Sequence, residues 1–287
     1  MLIKPLGEYK PPRHALDEED DSVQPLPKPS IVIDLNDDIK SIDYIIIAPS
    51  TLSSLPDSFG SEKSVGSIAI KYDLADLVPP KASDDEVVDD DEDYNIIEQL
   101  YSANKINKFE TSSLDPIDIK FHQVENHSII SIVIPRYSNI ITFNLLGKAI
   151  VEKLALIVKH DWILLTPCSL NNGSTISKLE LSSKKEEKDD AHKLILDSIP
   201  NLKPPHFITG IAASVLSQLN ILETKSVLTL VVDSEGHSGF EKSNSDAVVD
   251  AAFVVGSILL SSPDDYMLNV SKKVRKLNGF SNSGMYI

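Results

Sequence analysis

The sequence predicts an α/β fold: a three-layer sandwich with a largely parallel central sheet, carrying disordered acidic segments and a flexible C-terminal tail. Three observations lead there. Continuous apolar, β-branched runs at 43–50 and 128–137 read as strands buried on both faces. Strand-like and helix-like patterns alternate through the second half, as a parallel sheet with crossover helices requires. Acid and proline are concentrated in a few runs, which have too little apolar content to build a core of their own.

The elements follow in order. Residues 8–30 are proline-rich and acidic and read as an arm. Ile31 to Ile33 predict a short strand. "DYIIIAPS" (43–50) is a buried strand ended by Ala-Pro-Ser, and "SVGSIAIKYDL" (64–74) is a second. Residues 79–95, "PPKASDDEVVDDDEDYN", form a solvated acidic insert. "SIISIVIPRY" (128–137) is a third strong strand. Leu145, Leu146, Ile150, Leu154 and Ile157 then recur at helical spacing, with Glu152 and Lys153 outside. "DWILLTPCS" (161–169) is a strand with Trp162 in the core. "KKEEKDDAHK" (184–193) is a charged loop or helix start. A small-residue helix follows the prolines at 204–221, and "SVLTLVVDSEGHSG" (226–239) is a strand running into a loop. Asn244, Ser245 or Asp246 caps a helix over 246–260. Pro263 opens the last helix, which reaches Leu277 with cations at its C-terminal end. The expected organisation is an arm over 1–30, one α/β domain over 31–277 containing the insert, and a tail over 278–287.

Composition narrows the function classes. The net charge is −16, which disfavours nucleic-acid backbones and anionic membranes. The single cysteine, Cys168, has no partner for a disulfide, which favours a reducing, cytoplasmic compartment. The longest apolar stretch, Ala247 to Leu260, is too short to span a membrane.

Catalytic patterns are weak. "SEGHSGFEK" (234–242) offers Ser234, Glu235, His237 and Ser238, but it lacks both the Gly-x-Ser-x-Gly of a nucleophile elbow and the spacing of a phosphate loop. It reads as a structural turn. The histidines are scattered, with His122 and His127 five apart, so no helical metal site is expected. No catalytic set, cofactor or metal is expected, although residues distant in sequence still have the option of converging.

The terminus is the unusual feature. After the small, polar Ser281–Gly284 come Met285, Tyr286 and Ile287. A free carboxylate after bulky apolar residues fits capture by a PDZ domain through strand addition, or an end that folds back on the body.

Three stretches, 204–219, 234–250 and the terminal "GMYI", closely resemble the fungal form of the proteasome assembly chaperone 1 family. The resemblance covers about the last third of the chain. It implies one subunit of a heterodimer, paired with proteasome assembly chaperone 2, that binds the alpha ring of core-particle precursors. It implies that Met285, Tyr286 and Ile287 form a hydrophobic–Tyr–X motif that enters a pocket between alpha subunits. It also implies a fold like that of nucleoside phosphorylases, so an enzyme on that fold is the alternative to a chaperone.

Overall fold

The computed structural model describes residues 28–36, 39–60, 62–72, 114–137, 140–181, 190–222, 226–236 and 242–277. The arm before residue 28, the acidic insert 79–95 and the tail 278–287 lie outside the described residues. The strands are β1 (Pro29–Leu35), β2 (Tyr44–Pro49), β3 (Glu62–Tyr72), β4 (Ile117–Val124), β5 (His127–Ile134), β6 (Asp161–Cys168), β7 (Ile176–Leu181), β8 (Ser226–Glu235) and β9 (Lys242–Ser243). The helices are α1 (Ile140–Leu154), α2 (Asp190–Ser198), α3 (Gly210–Leu222), α4 (Ser245–Leu259) and α5 (Asp264–Leu277), with short 3-10 turns at Ser50–Leu52 and Pro56–Ser58.

These strands make one nine-stranded sheet of order β1-β3-β4-β5-β2-β6-β8-β7, with β9 beside β8. Its centre is parallel: β2 pairs with β5 and β6, and β6 with β8. Its flanks are antiparallel, through β1·β3, β3·β4 and β4·β5 on one side and β7·β8 on the other. The parallel pairing expected across most of the sheet is therefore confined to four strands, buried on both faces, whose runs are largely apolar. The flanking strands β4 and β7 set charged residues between apolar ones: Asp118 and Lys120 in β4, Lys178 and Glu180 in β7.

Period-two alternation divides the core between the two faces of the sheet. Ile45 and Ile47 point one way, with Leu146 and Ile150 of α1 and Ile211 and Val215 of α3. Ile46 and Ala48 point the other way, with α4, α5, Leu196 of α2, and Leu52, Leu55 and Phe59 around the 3-10 turns. Helices on both faces of a central sheet make the three-layer sandwich. Trp162 is fully buried, as expected. Among the described residues, no helix is long and apolar enough to cross a membrane.

Candidate functional site

Met285, Tyr286 and Ile287 lie outside the described residues, so the site is built from their root, α5. One stripe of this helix, Tyr266, Val270 and Val274, is buried. The i, i+4, i+8 spacing places all three on the same side. Asp264 and Asp265 occupy the first turn and Arg275 and Lys276 the last, complementing the helix dipole at both ends.

Contacts with the segment after β2 fix α5 in place. The Tyr266 ring stacks on Phe59 with centroids 4.5 Å apart. Its hydroxyl donates to the Leu55 carbonyl at 3.1 Å. Burial pushes the Tyr266 phenol well above its ordinary pKa, so it remains a donor. On the α4 side, a β-carbon at Gly256 would lie 2.8 Å from the Pro263 side chain and 3.1 Å from the Tyr266 ring. Glycine there lets the two helices close.

Lower on α5, the Lys273 ammonium donates to the Asp57 carbonyl. The Asp57 carboxylate takes Lys120 at 3.0 Å, and Lys120 also reaches Glu62 at 2.8 Å. Burial works against the charge on Lys120. The hydrogen bonds and charges of Glu62 and Asp57 outweigh it, so its pKa is raised. The same hydrogen bond from Lys120 holds Glu62 below the usual carboxylate range. Beneath this cluster sits His122, fully buried, its Nε2 sharing a 2.8 Å hydrogen bond with the Ser131 hydroxyl. Burial holds its pKa below the ordinary value, and it packs against Phe59 at 5.8 Å as a neutral ring.

The outward side of α5 is different. Leu268 is 52% exposed there. Lys272, Arg275 and Lys276 are exposed with it, and no ion pair holds these three cations among the described residues.

The carboxyl ends of the parallel strands are where α/β proteins usually place a ligand. Here their polar groups close loops. Asp233 accepts from the Leu170 amide at 2.9 Å, and its carbonyl accepts from the Asn244 amide at 3.1 Å. Asn244 caps α4 by accepting from the Asp246 amide, as its side chain predicts. Thr175 donates to Asp250. His206 uses both ring nitrogens: Nε2 accepts from the Asn171 amide at 3.2 Å, so Nδ1 carries the proton it donates to the Lys203 carbonyl at 3.0 Å. Residues 237–241 of the "SEGHSGFEK" loop lie outside the described residues. Ser234 is buried, with no hydrogen bond to its hydroxyl among the described residues. No group of three or more His, Cys, Asp or Glu side chains is placed to hold a metal among the described residues.

Sequence reasoning found α5 and its cations. It missed what seats the helix: Leu55, Asp57, Phe59, Lys120 and His122. Their only local signal was the stripe Tyr266, Val270, Val274, which announces a buried face without naming what covers it.

The crystal structure of Pyrococcus furiosus PbaA, an archaeal homolog of proteasome-assembly chaperone, is similar to this chain at 13% identity, covering 88% of this chain and 91% of that one, with a TM-score of 0.50. A Mycobacterium tuberculosis protein of unknown function is similar at 10% identity, covering 86% and 83%, also with a TM-score of 0.50. At such identities the likeness is one of fold. No curated protein matches. The family model for the POC1 chaperone matches residues 1–287, and the chain belongs to the POC1 chaperone family.

Proposed function

We propose that this chain is a cytoplasmic, non-enzymatic chaperone for assembly of the proteasome core particle. In this reading it pairs with proteasome assembly chaperone 2 and lies on the outer face of the alpha ring. Its Met285-Tyr286-Ile287 end enters a pocket between alpha subunits. Occupying that pocket delays activator docking and misassembly. The observation that carries the reading is the match to a chaperone family over the whole of residues 1–287. The fold shared with an archaeal homolog of proteasome-assembly chaperone supports it. So does the ring of loop-closing hydrogen bonds around Asp233 and His206, which commits those groups to structure.

Physical chemistry makes the tail a reasonable ligand. The Ile287 carboxylate suits a lysine at a pocket floor. The Tyr286 ring buries apolar area and keeps a hydroxyl to bond. Met285 adapts to an irregular wall. Met and Tyr contribute roughly 1.5–3 kcal/mol each on burial, and a charge-assisted bond about 1.5–3 kcal/mol. Association costs of roughly 4–15 kcal/mol consume most of this. One tail is therefore insufficient, and a second anchor tethered to the first supplies the rest.

The experiment is co-purification of the tagged chain with identification of what comes with it by mass spectrometry. Alpha subunits in immature particles, plus one partner of similar size, are expected. Recovery of the chain without proteasome subunits overturns the reading.

A further inference from the structure

We propose that the outward face of α5 from its second turn onward — Leu268, Lys272, Arg275 and Lys276 — is a second docking surface, seated on an acidic protein surface that borders the pocket receiving the tail. The proposal rests on the tail reading above and adds the chemistry of the neighbouring partner surface.

Spacing puts Leu268, Lys272, Arg275 and Lys276 on one side of the helix, opposite buried Tyr266, Val270 and Val274. The fourth cation of this run, Lys273, turns inward to the Asp57 carbonyl and is spent on the fold. The other three have no acidic partner among the described residues. The acids of the same helix, Asp264 and Asp265, lie in its first turn, one turn before Leu268 and about two turns or more from the cations. Half-exposed Leu268 adds an apolar contact to the charged face.

Two constraints select the occupant. The ten residues 278–287 span at most about 33–36 Å in any conformation. A pocket that takes Ile287 therefore lies within that distance of Leu277. Leu268 is only about 13 Å back along the helix axis, so one partner surface is large enough to meet both this face and the tail. The chain as a whole carries −16 and is repelled by an acidic partner. Within a screening length of about 8–10 Å, however, the local cations dominate. An acidic surface beside the pocket thus attracts this end of α5 and repels the rest, which fixes the orientation of the body on its target.

The test uses the complete chain with its partner chaperone, binding purified core-particle precursors at low and high salt. Three variants are compared: Lys272→Glu/Arg275→Glu/Lys276→Glu; the same positions changed to Gln; and a chain lacking residues 285–287. Thermal unfolding identifies any variant whose helix is disturbed, and the Gln variant controls for acid placed at a helix C-terminus. The proposal expects the Glu variant to bind at least ~10-fold more weakly at low salt, the Gln variant to fall between, and the difference to shrink at high salt. Binding by the Glu variant as tight as by the original, while loss of 285–287 weakens it, overturns the proposal and leaves the tail reading intact. Failure of the original chain to bind precursors at all overturns both. If reversal abolishes self-association in light scattering and leaves precursor binding unchanged, the face belongs to a second copy and the proposal is wrong.

Discussion

The two helical layers are held to the same sheet by different means. On one face, α1 joins β5 to β6 and α3 runs into β8, so the chain returns to the sheet after each. Their contact is a matter of fit: a β-carbon at Gly147 would lie 2.3 Å from the Ser214 hydroxyl and 3.1 Å from its backbone carbon. Ser214 donates to the Asn144 carbonyl at 3.3 Å between the two helices, and the Tyr72 and Thr142 hydroxyls share a buried 2.6 Å hydrogen bond that ties α1 to β3. On the other face, the α4–α5 hairpin follows β8 and β9, and among the described residues no strand comes after it. Side chains fix it in place. Tyr266, Lys273 and, behind them, Lys120 and His122 fix α5 to the segment after β2. Chain connection and close fit, with the Tyr72–Thr142 hydroxyl pair, position the first layer; a cluster of polar and aromatic ties positions the second, from which the tail departs.

The largest effect should come from removing the main tie. Tyr266→Ala deletes a buried ring and its hydroxyl, at a cost of about 3–5 kcal/mol. The comparison expects this loss to be local in its first stage, with hydrogen exchange rising in α5 before α1 and α3. Uniform acceleration across both layers would show that α5 is no more separable than the rest.

A crowding substitution on the opposite face should behave differently. Gly147→Ala forces α1 away from Ser214 and costs roughly 1–3 kcal/mol of overpacking, offset by up to about 1 kcal/mol of helix propensity. Denaturant unfolding should remain a single transition with a lower midpoint. Smaller again is Tyr266→Phe, which keeps the stack on Phe59 and loses only the bond to the Leu55 carbonyl, about 0.5–1.5 kcal/mol.

The smallest stability effect is a pH slope. Burial lowers the His122 pKa in the fold below 6.5. On falling below 6.5 the unfolded chain takes up a proton that the fold resists. Stability therefore declines as pH drops from about 6.5 towards the folded pKa. Denaturation midpoints measured across this window should show the decline, and His122→Gln should flatten it. An equal slope in the variant would assign it to other groups.

Legibility in the sequence followed the same division. The parallel centre announced itself, because strands covered on both faces are largely apolar: the runs at 43–50, 161–169 and 226–239 contain β2, β6 and β8, and the run at 128–137 covers all of β5 but His127. The strand expected at 64–74 is β3, which begins two residues earlier. The helices over 246–260 and from Pro263 to Leu277 lie where capping and periodicity put them. The first helix did not keep its expected bounds. Its pattern ran to Ile157, but α1 ends at Leu154, because Val158 bridges Ile42 at the edge of the sheet. Strands β4 and β7 were missed: "IDIKFHQV" and "ISKLEL" place charge at alternate positions, and short half-buried strands give little signal. The seat of α5 was illegible for another reason. Tyr266 meets Leu55 across 211 residues of sequence, and no local pattern encodes so distant a partner.

The central claim is that the body positions a terminal ligand, and one added residue tests it most directly. Appending a glycine after Ile287 keeps Met285, Tyr286 and every apolar group but moves the carboxylate by about 3.3–3.6 Å. A charge-assisted bond of roughly 2.7–2.9 Å does not survive that shift. Binding to core-particle precursors, measured with the partner chaperone's own tail removed, should fall by at least ~10-fold, the loss of about one such bond. Thermal unfolding and pairing with the partner should not change. Undiminished binding by the extended chain would contradict the claim.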